Sequence, residues 1–420
     1  MAQSAQSDNI EGTGAAVATA APPGGLATSQ SRSGLGAGVL FILSIACGVS
    51  VATIYFPQAI TLLIASDLHV APEAAATVVT MAQLGYALGL LLLVPLGDRL
   101  SHRPLVATLL TLTALSLLVA SRAPTLSILA VASLVTGFTT VVPQILLPMA
   151  AGLVGPERRG AVTGTLLSGL LGGILLARTF GGVLGEHLGW RGPYVIAASV
   201  LLVFAVLLAI VLPKTTPTSS QRYPSLIAAA FVLFRQEPEL RRSCFYQALM
   251  FGSFTAAWTS IALVLGGPLY GLGSQAVGLI ALVGAASVLC TPIVGRLIDR
   301  KGSDFVNWLS FAGAILAAAI LLGGQFGAHF GLMALAAGML VLDLAVQCGQ
   351  AANQARVFAL RPEARSRMNT AYMTSAFLGG SAGSWIGVKA YGQWGWPGVC
   401  ALIALAATAA LARHAARALR

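Results

Sequence analysis

The sequence predicts an all-α membrane protein of twelve transmembrane helices arranged as two six-helix repeats. Three observations predict it. First, 57% of the 420 residues are hydrophobic and only 9% are charged, whereas soluble domains carry about 25% charged residues. A soluble chain of this length needs far more polar surface, so soluble, extended disordered and collagen-like classes are excluded. Second, twelve apolar stretches follow one another, each near the roughly 20 residues that cross a bilayer as a helix. Third, short landmarks recur between the first six stretches and the last six.

Residues 1–34 are small and polar, without the basic, apolar and cleavage-site order of a signal peptide, and are expected to be a disordered tail. Spans follow at 36–58, 75–97, 104–121, 125–152, 162–185 and 193–212, forming an N-terminal half over 35–212. The polar segment 213–242, with Pro213, Pro217 and Pro224, reads as a linker between halves. Its apolar part, Leu226 to Phe234, also suits a short helix on the membrane surface. Six more spans, at 243–268, 275–295, 305–325, 329–355, 368–388 and 396–412, form a C-terminal half over 243–412, and 413–420 is a short tail. Every span must be a helix, because an open sheet leaves backbone groups unsatisfied in lipid.

The net charge of +11 comes as ones, twos and threes of Lys and Arg between apolar runs, not as a basic stripe, so nucleic acid is not an expected partner. With the N-terminus inside, 20 of the 24 cations fall in cytoplasmic segments. Arg122, Arg191 and Lys389 fall outside, and Arg178 lies within a span. That asymmetry puts both termini in the cytoplasm. The five cysteines have no paired spacing and read as reduced packing residues.

The halves echo each other. Asp98-Arg99 after span 2 matches Asp299-Arg300 after span 8, at a shift of 201. Pro156-Glu157-Arg158-Arg159 matches Pro362-Glu363-Ala364-Arg365, Gly189-Trp190 matches Gly395-Trp396, and Gln144 falls on Gln350, all at a shift of 206. Such a repeat places a site near the bilayer midplane between the halves, reached from either side as they rock.

Two charges, Arg178 and Asp343, sit well inside spans. Each costs about 2.5–3.5 kcal/mol at a helix centre, so each needs a partner or a watery cavity. For Arg178 the readings are a structural clamp between helices or the binding of an anion or substrate. For Asp343 they are a buried structural partner or a proton carrier. Asp343, Gln347, Gln350 and Gln354 lie on one face of span 10, matched in span 4 by Ser133, Thr136, Thr140 and Gln144. A polar face in lipid looks at protein or at a water-filled cavity. Tyr55 and Gln58 in span 1, Trp258 in span 7, and Asn369 and Tyr372 in span 11 are further candidates.

Across about residues 36–412 the sequence resembles the major facilitator superfamily. The loop after span 2 there reads G-x-L-x-D-R-x-G-R-R. Leu96, Asp98, Arg99 and Arg103 match, while Val94, Ser101 and His102 replace the usual Gly, Gly and Arg. The second copy keeps Gly295, Leu297, Asp299, Arg300, Lys301 and Gly302. The resemblance implies that these loops latch the cytoplasmic gate and that spans 4 and 10 line a cavity. Span 5 is similar to the antiporter pattern G-x-x-x-G-P-x-x-G-G through Gly173, Ala177, Gly181 and Gly182, which allow close helix contact, with Arg178 where the proline is usual. Further runs resemble a bacterial branch labelled sugar or drug efflux permeases.

No P-loop occurs, no two histidines share a helix face, and no enzyme constellation appears, so no ATP, metal or cofactor is expected. The expected function is secondary transport in the inner membrane of a bacterium: proton-coupled efflux of a small molecule such as a drug or sugar, with lipid, substrate and protons as partners and the monomer as the working unit. The alternatives are a proton symporter importing a sugar or organic acid, and a non-transporting receptor on the same fold.

Overall fold

The computed structural model describes residues 36–213, 215–216, 221–284, 286–287, 291–361 and 364–418. The predicted tail at 1–34, Pro217, Cys290 and the Pro362-Glu363 landmark lie outside the described residues. Cys47, Cys244 and Cys400 are free thiols.

Among the described residues the regular structure is helical. The first half contains α1 (Ala37–Ala52), α2 (Thr61–Asp67), α3 (Pro72–Ala75), α4 (Thr77–Leu92), α5 (His102–Ser121), α6 (Leu126–Thr139), α7 (Val142–Gly152), α8 (Pro156–Leu188) and α9 (Arg191–Val211). The second contains α11 (Pro238–Gly266), α12 (Ser274–Gly284), α13 (Thr291–Leu321), α14 (Ala328–Leu360) and α15 (Arg365–Ala418), with α10 (Tyr223–Gln236) between the halves. Ten runs among the described residues are long and apolar enough to cross a membrane. One of these turns back at Gly395, and the shorter α12 precedes the first part of α13, which turns at Gly302. This arrangement is consistent with the twelve predicted crossings.

Glycine decides how the helices pack. A Cβ on Gly173 of α8 would lie 2.4 Å from the Gly48 Cα of α1, and one on Gly383 of α15 would lie 2.5 Å from the Gly252 Cα of α11. Backbones therefore touch at α1–α8 and again at α11–α15, where dispersion between close helices replaces the missing hydrophobic drive of lipid. The Gly-Trp landmark also recurs in space. Gly189 and Gly395 both adopt left-handed backbone, at φ 69° and 63°. The Trp190 indole N–H donates to Asp67 Oδ2 at 3.0 Å, and that of Trp396 donates to the Leu321 carbonyl at 2.6 Å. The Trp190 bond, and then Arg191, hold the Asp67 carboxyl below its usual range.

The halves meet along α4–α15 and α8–α12. At the end opposite the arginine-bearing loops the seam is made of hydroxyls. Thr80 Oγ1 and Ser384 Oγ are 3.0 Å apart, Ser381 Oγ donates to the Thr80 carbonyl at 3.1 Å, and Thr179 Oγ1 donates to the Gly278 carbonyl at 2.9 Å. A Cβ on Gly182 would meet the Ser274 carbonyl at 2.5 Å.

At the arginine-bearing end the contacts are charged. Asp98 faces the start of α15 beside Ser366, Arg367 and Thr370, with Arg367 attracting its carboxylate. Leu226, Ile227 and Ala230 of α10 complete that corner, and Tyr223 donates to the Leu92 carbonyl at 2.5 Å. The linker thus contains a helix whose Leu226, Ala230 and Leu233 are buried. Arg99 is exposed, while Arg103 Nε donates to the Ala209 carbonyl of α9. The second loop differs from expectation. Gly295, Asp299 and Arg300 are exposed, and arginines gather instead at Asp304, bonded to Arg242 at 2.6 Å and to Arg356, and at Glu239, paired with Arg242, Arg356 and Arg417. Left-handed Gly302, at φ 81°, restarts the helix, so Asp304 falls in its first turn, facing α11 and α14.

Candidate functional site

A cavity of about 90 Å³ lies between the halves, walled by α1, α4, α7 and α8 on one side and α11, α14 and α15 on the other. Its polar lining is Tyr55, Tyr86, Gln144, Arg178, Gln247, Asp343, Gln347 and Gln350, and its apolar lining includes Leu170, Ile174, Phe251, Phe254, Met373 and Phe377.

Arg178 and Asp343, 1% and 2% exposed, do not form a direct ion pair. Trp258 joins them. The Arg178 guanidinium carbon stands 4.1 Å from the centre of the indole ring, and the indole N–H donates to Asp343 Oδ1 at 2.9 Å. A guanidinium over an aromatic face is held by the ring quadrupole, more strongly when water is excluded. Tyr55 and Phe254 close the cage at 5.1 and 5.3 Å. Arg178 Nε donates to Gln58 Oε1 at 2.6 Å, while Arg178 Nη2 and Gln58 Nε2 are buried without a partner among the described residues. The two opposite charges attract each other across the indole. Gly284 makes room for the acid, since a Cβ there would lie 2.5 Å from Asp343 Oδ2.

The amides below this cluster are tied to one another. Gln347 Nε2 donates to Ser287 Oγ at 2.6 Å, Gln247 Nε2 to Gln350 Oε1 at 3.3 Å, and Tyr372 to Gln247 Oε1 at 2.9 Å. Gln144 Nε2 stands 3.5 Å from the Tyr86 hydroxyl. Of the predicted polar faces, Asp343, Gln347, Gln350 and Gln144 reach the cavity, and Gln354 and Thr140 do not. Gln354 is bonded to Asn369 at 3.1 Å, because α14 runs on past the cavity floor. Thr140 lies at the break between α6 and α7, where its hydroxyl donates to the Ser50 carbonyl at 2.7 Å and fastens α1. A straight helical extrapolation does not survive that break.

Sequence reasoning missed Tyr86, Gln247 and the Phe251–Phe254–Phe377 wall. Phenylalanines in apolar spans carry no period that separates cavity from lipid. Gln247, a lone amide in an apolar run, carried a readable signal.

A bundle with a polar cavity between two similarly packed halves defines a membrane transporter. The chain belongs to the Major Facilitator Superfamily, whose sequence profile matches residues 40–384. It is 38% identical over 362 residues to the uncharacterized transporter YgaY of Escherichia coli (strain K12), covering 86% of this chain and 91% of that one. It is 26% identical over 247 residues to Multidrug resistance protein D of the same strain, covering 58% and 61%. The crystal structure of a mutant of the nucleoside transporter NupG superposes with a TM-score of 0.74 at 18% identity, covering 90% of this chain and 98% of that one. The chain is therefore a transporter of this family and not an enzyme.

Proposed function

We propose that this transporter couples the movement of a small molecule to protons by alternating access, with Asp343 as the proton carrier. One observation carries the reading: Asp343 is the acid that lines the central cavity, and it faces a buried cation through Trp258 instead of pairing with it directly. A carboxyl so placed can gain a proton from one side and release it to the other. The arginine bias of the loops supports cytoplasmic termini in an inner membrane. Asp98 against α15 supports a latch that must break when the halves move. A drug-like substrate is supported by the name of Multidrug resistance protein D. A second reading, substrate and proton moving together, is favoured by the unpartnered Nη2 of Arg178.

Asp343→Asn in reconstituted vesicles tests the coupling. The variant should still exchange substrate across the membrane but lose accumulation driven by a pH gradient. Undiminished accumulation with protons as the sole energy source would show that Asp343 is structural.

A further inference from the structure

We infer that the central cavity binds a small organic anion and a proton together, the anion on Arg178 and the proton on Asp343. The inference rests on the proton-coupling reading of Asp343 and names the substrate class that the site takes.

The donor side is unfinished. Arg178 is the cation lining the cavity, and its guanidinium is wrapped by Tyr55, Phe254 and Trp258. Nε is used by Gln58 Oε1, while Nη2 and the neighbouring Gln58 Nε2 are buried donors with no acceptor among the described residues. Leaving a buried charged donor unsatisfied is costly. A carboxylate entering from the cavity can accept from the Arg178 guanidinium, whose planar fork matches its geometry. Phe251, Phe377, Met373, Leu170 and Ile174 offer the rest of such a molecule an apolar bed.

The acid sets the condition for binding. The groups facing Asp343 are Arg178 from α8 and, beyond it, Tyr55 from the turn after α1. Trp258 of α11 and Gly284 of α12 bring no charge. The empty site with Asp343 ionised is neutral. Adding an anion leaves one uncompensated negative charge at the midplane, and protonating Asp343 restores neutrality. The two states that must cross, empty and fully loaded, are then both neutral. A cation in exchange for a proton would require a net positive site on both legs, with an arginine beside the ligand. Burying an uncompensated charge is the larger cost. Anion and proton therefore bind cooperatively.

The test uses the purified full-length protein and three probes with one body: 2-naphthoate, 2-naphthamide and 2-naphthylmethylammonium. Binding is read by melting temperature and tryptophan fluorescence, and proton exchange by an indicator in weak buffer. The acid should bind at least about tenfold more tightly than the amide or the amine, as one charge-assisted hydrogen bond provides. Its binding should take up protons, approaching about one per anion at the pH of maximal uptake. Arg178→Gln should abolish the preference for the acid, and Asp343→Asn should keep acid binding without proton uptake. Equal or tighter binding of the amide or amine overturns the inference, as does proton release, proton uptake by Asp343→Asn, or no binding of any probe. The coupling reading falls separately. If Asp343→Asn accumulates substrate as well as the parent under a pH gradient, coupling is wrong whatever the probes bind. If the parent accumulates substrate through Asp343 yet prefers the amine, the anion is wrong and coupling stands.

Discussion

At the scale of single residues, Arg178 and Trp258 act as one unit. The guanidinium sits over the indole and the indole N–H holds the acid, so replacing either partner should move Asp343 as well. Lysine keeps the charge but has neither the planar face nor a donor fixed toward Gln58. Arg178→Lys should lower transport about tenfold or more while leaving membrane insertion intact, as vesicle flux and protein yield would read. Full activity would mean that charge alone matters there. Gly284 is the more specific probe. A methyl group there must push the Asp343 carboxylate aside, at about 1–3 kcal/mol. Gly284→Ala should therefore lower the melting temperature and weaken pH-driven accumulation more than substrate exchange.

At the scale of elements, α15 meets the loop proposed as the latch. Its first turn faces Asp98 and lies beside α10, so the linker helix and the loop after α4 meet at one corner. Asp98→Asn should slow transport strongly without loss of inserted protein, and a normal rate would remove the loop from the gating motion. The helices, the glycine contact of α8 and the two buried charges were legible in the sequence because lipid punishes every departure from an apolar helix. The meeting of Arg178 with Asp343 was not, since 165 positions separate them and nothing in the sequence says that Trp258, though a candidate, joins them. Thr140 and Gln354 were misplaced for a simpler reason, that helices break and cavities end. Asp304 was overshadowed by the better motif match at Asp299, although the turn at Gly302 decides which acid faces inward. The Gly379-x-x-x-Gly383 spacing in α15 was open to reading as the second-half counterpart of the α8 glycines.

At the scale of the whole molecule, two halves built alike are closed against each other at one end. If that closure opens and reforms during transport, fixing it should stop the cycle. Thr80→Cys with Ser384→Cys, in a background without the native cysteines, should form a disulfide across hydroxyls now 3.0 Å apart. Transport should halt on oxidation and return on reduction, with the cross-link followed by gel mobility. Undisturbed flux in the oxidised protein would show that this seam does not move. The chemistry of the seam has one more consequence. Neutral hydroxyls join the halves at one end, while the Arg242 and Arg356 pairs with Asp304 tie helices within the second half. Dissolved salt weakens exposed ion pairs and leaves hydroxyl bonds nearly untouched. The hydroxyl seam between the halves is therefore held by bonds indifferent to brine.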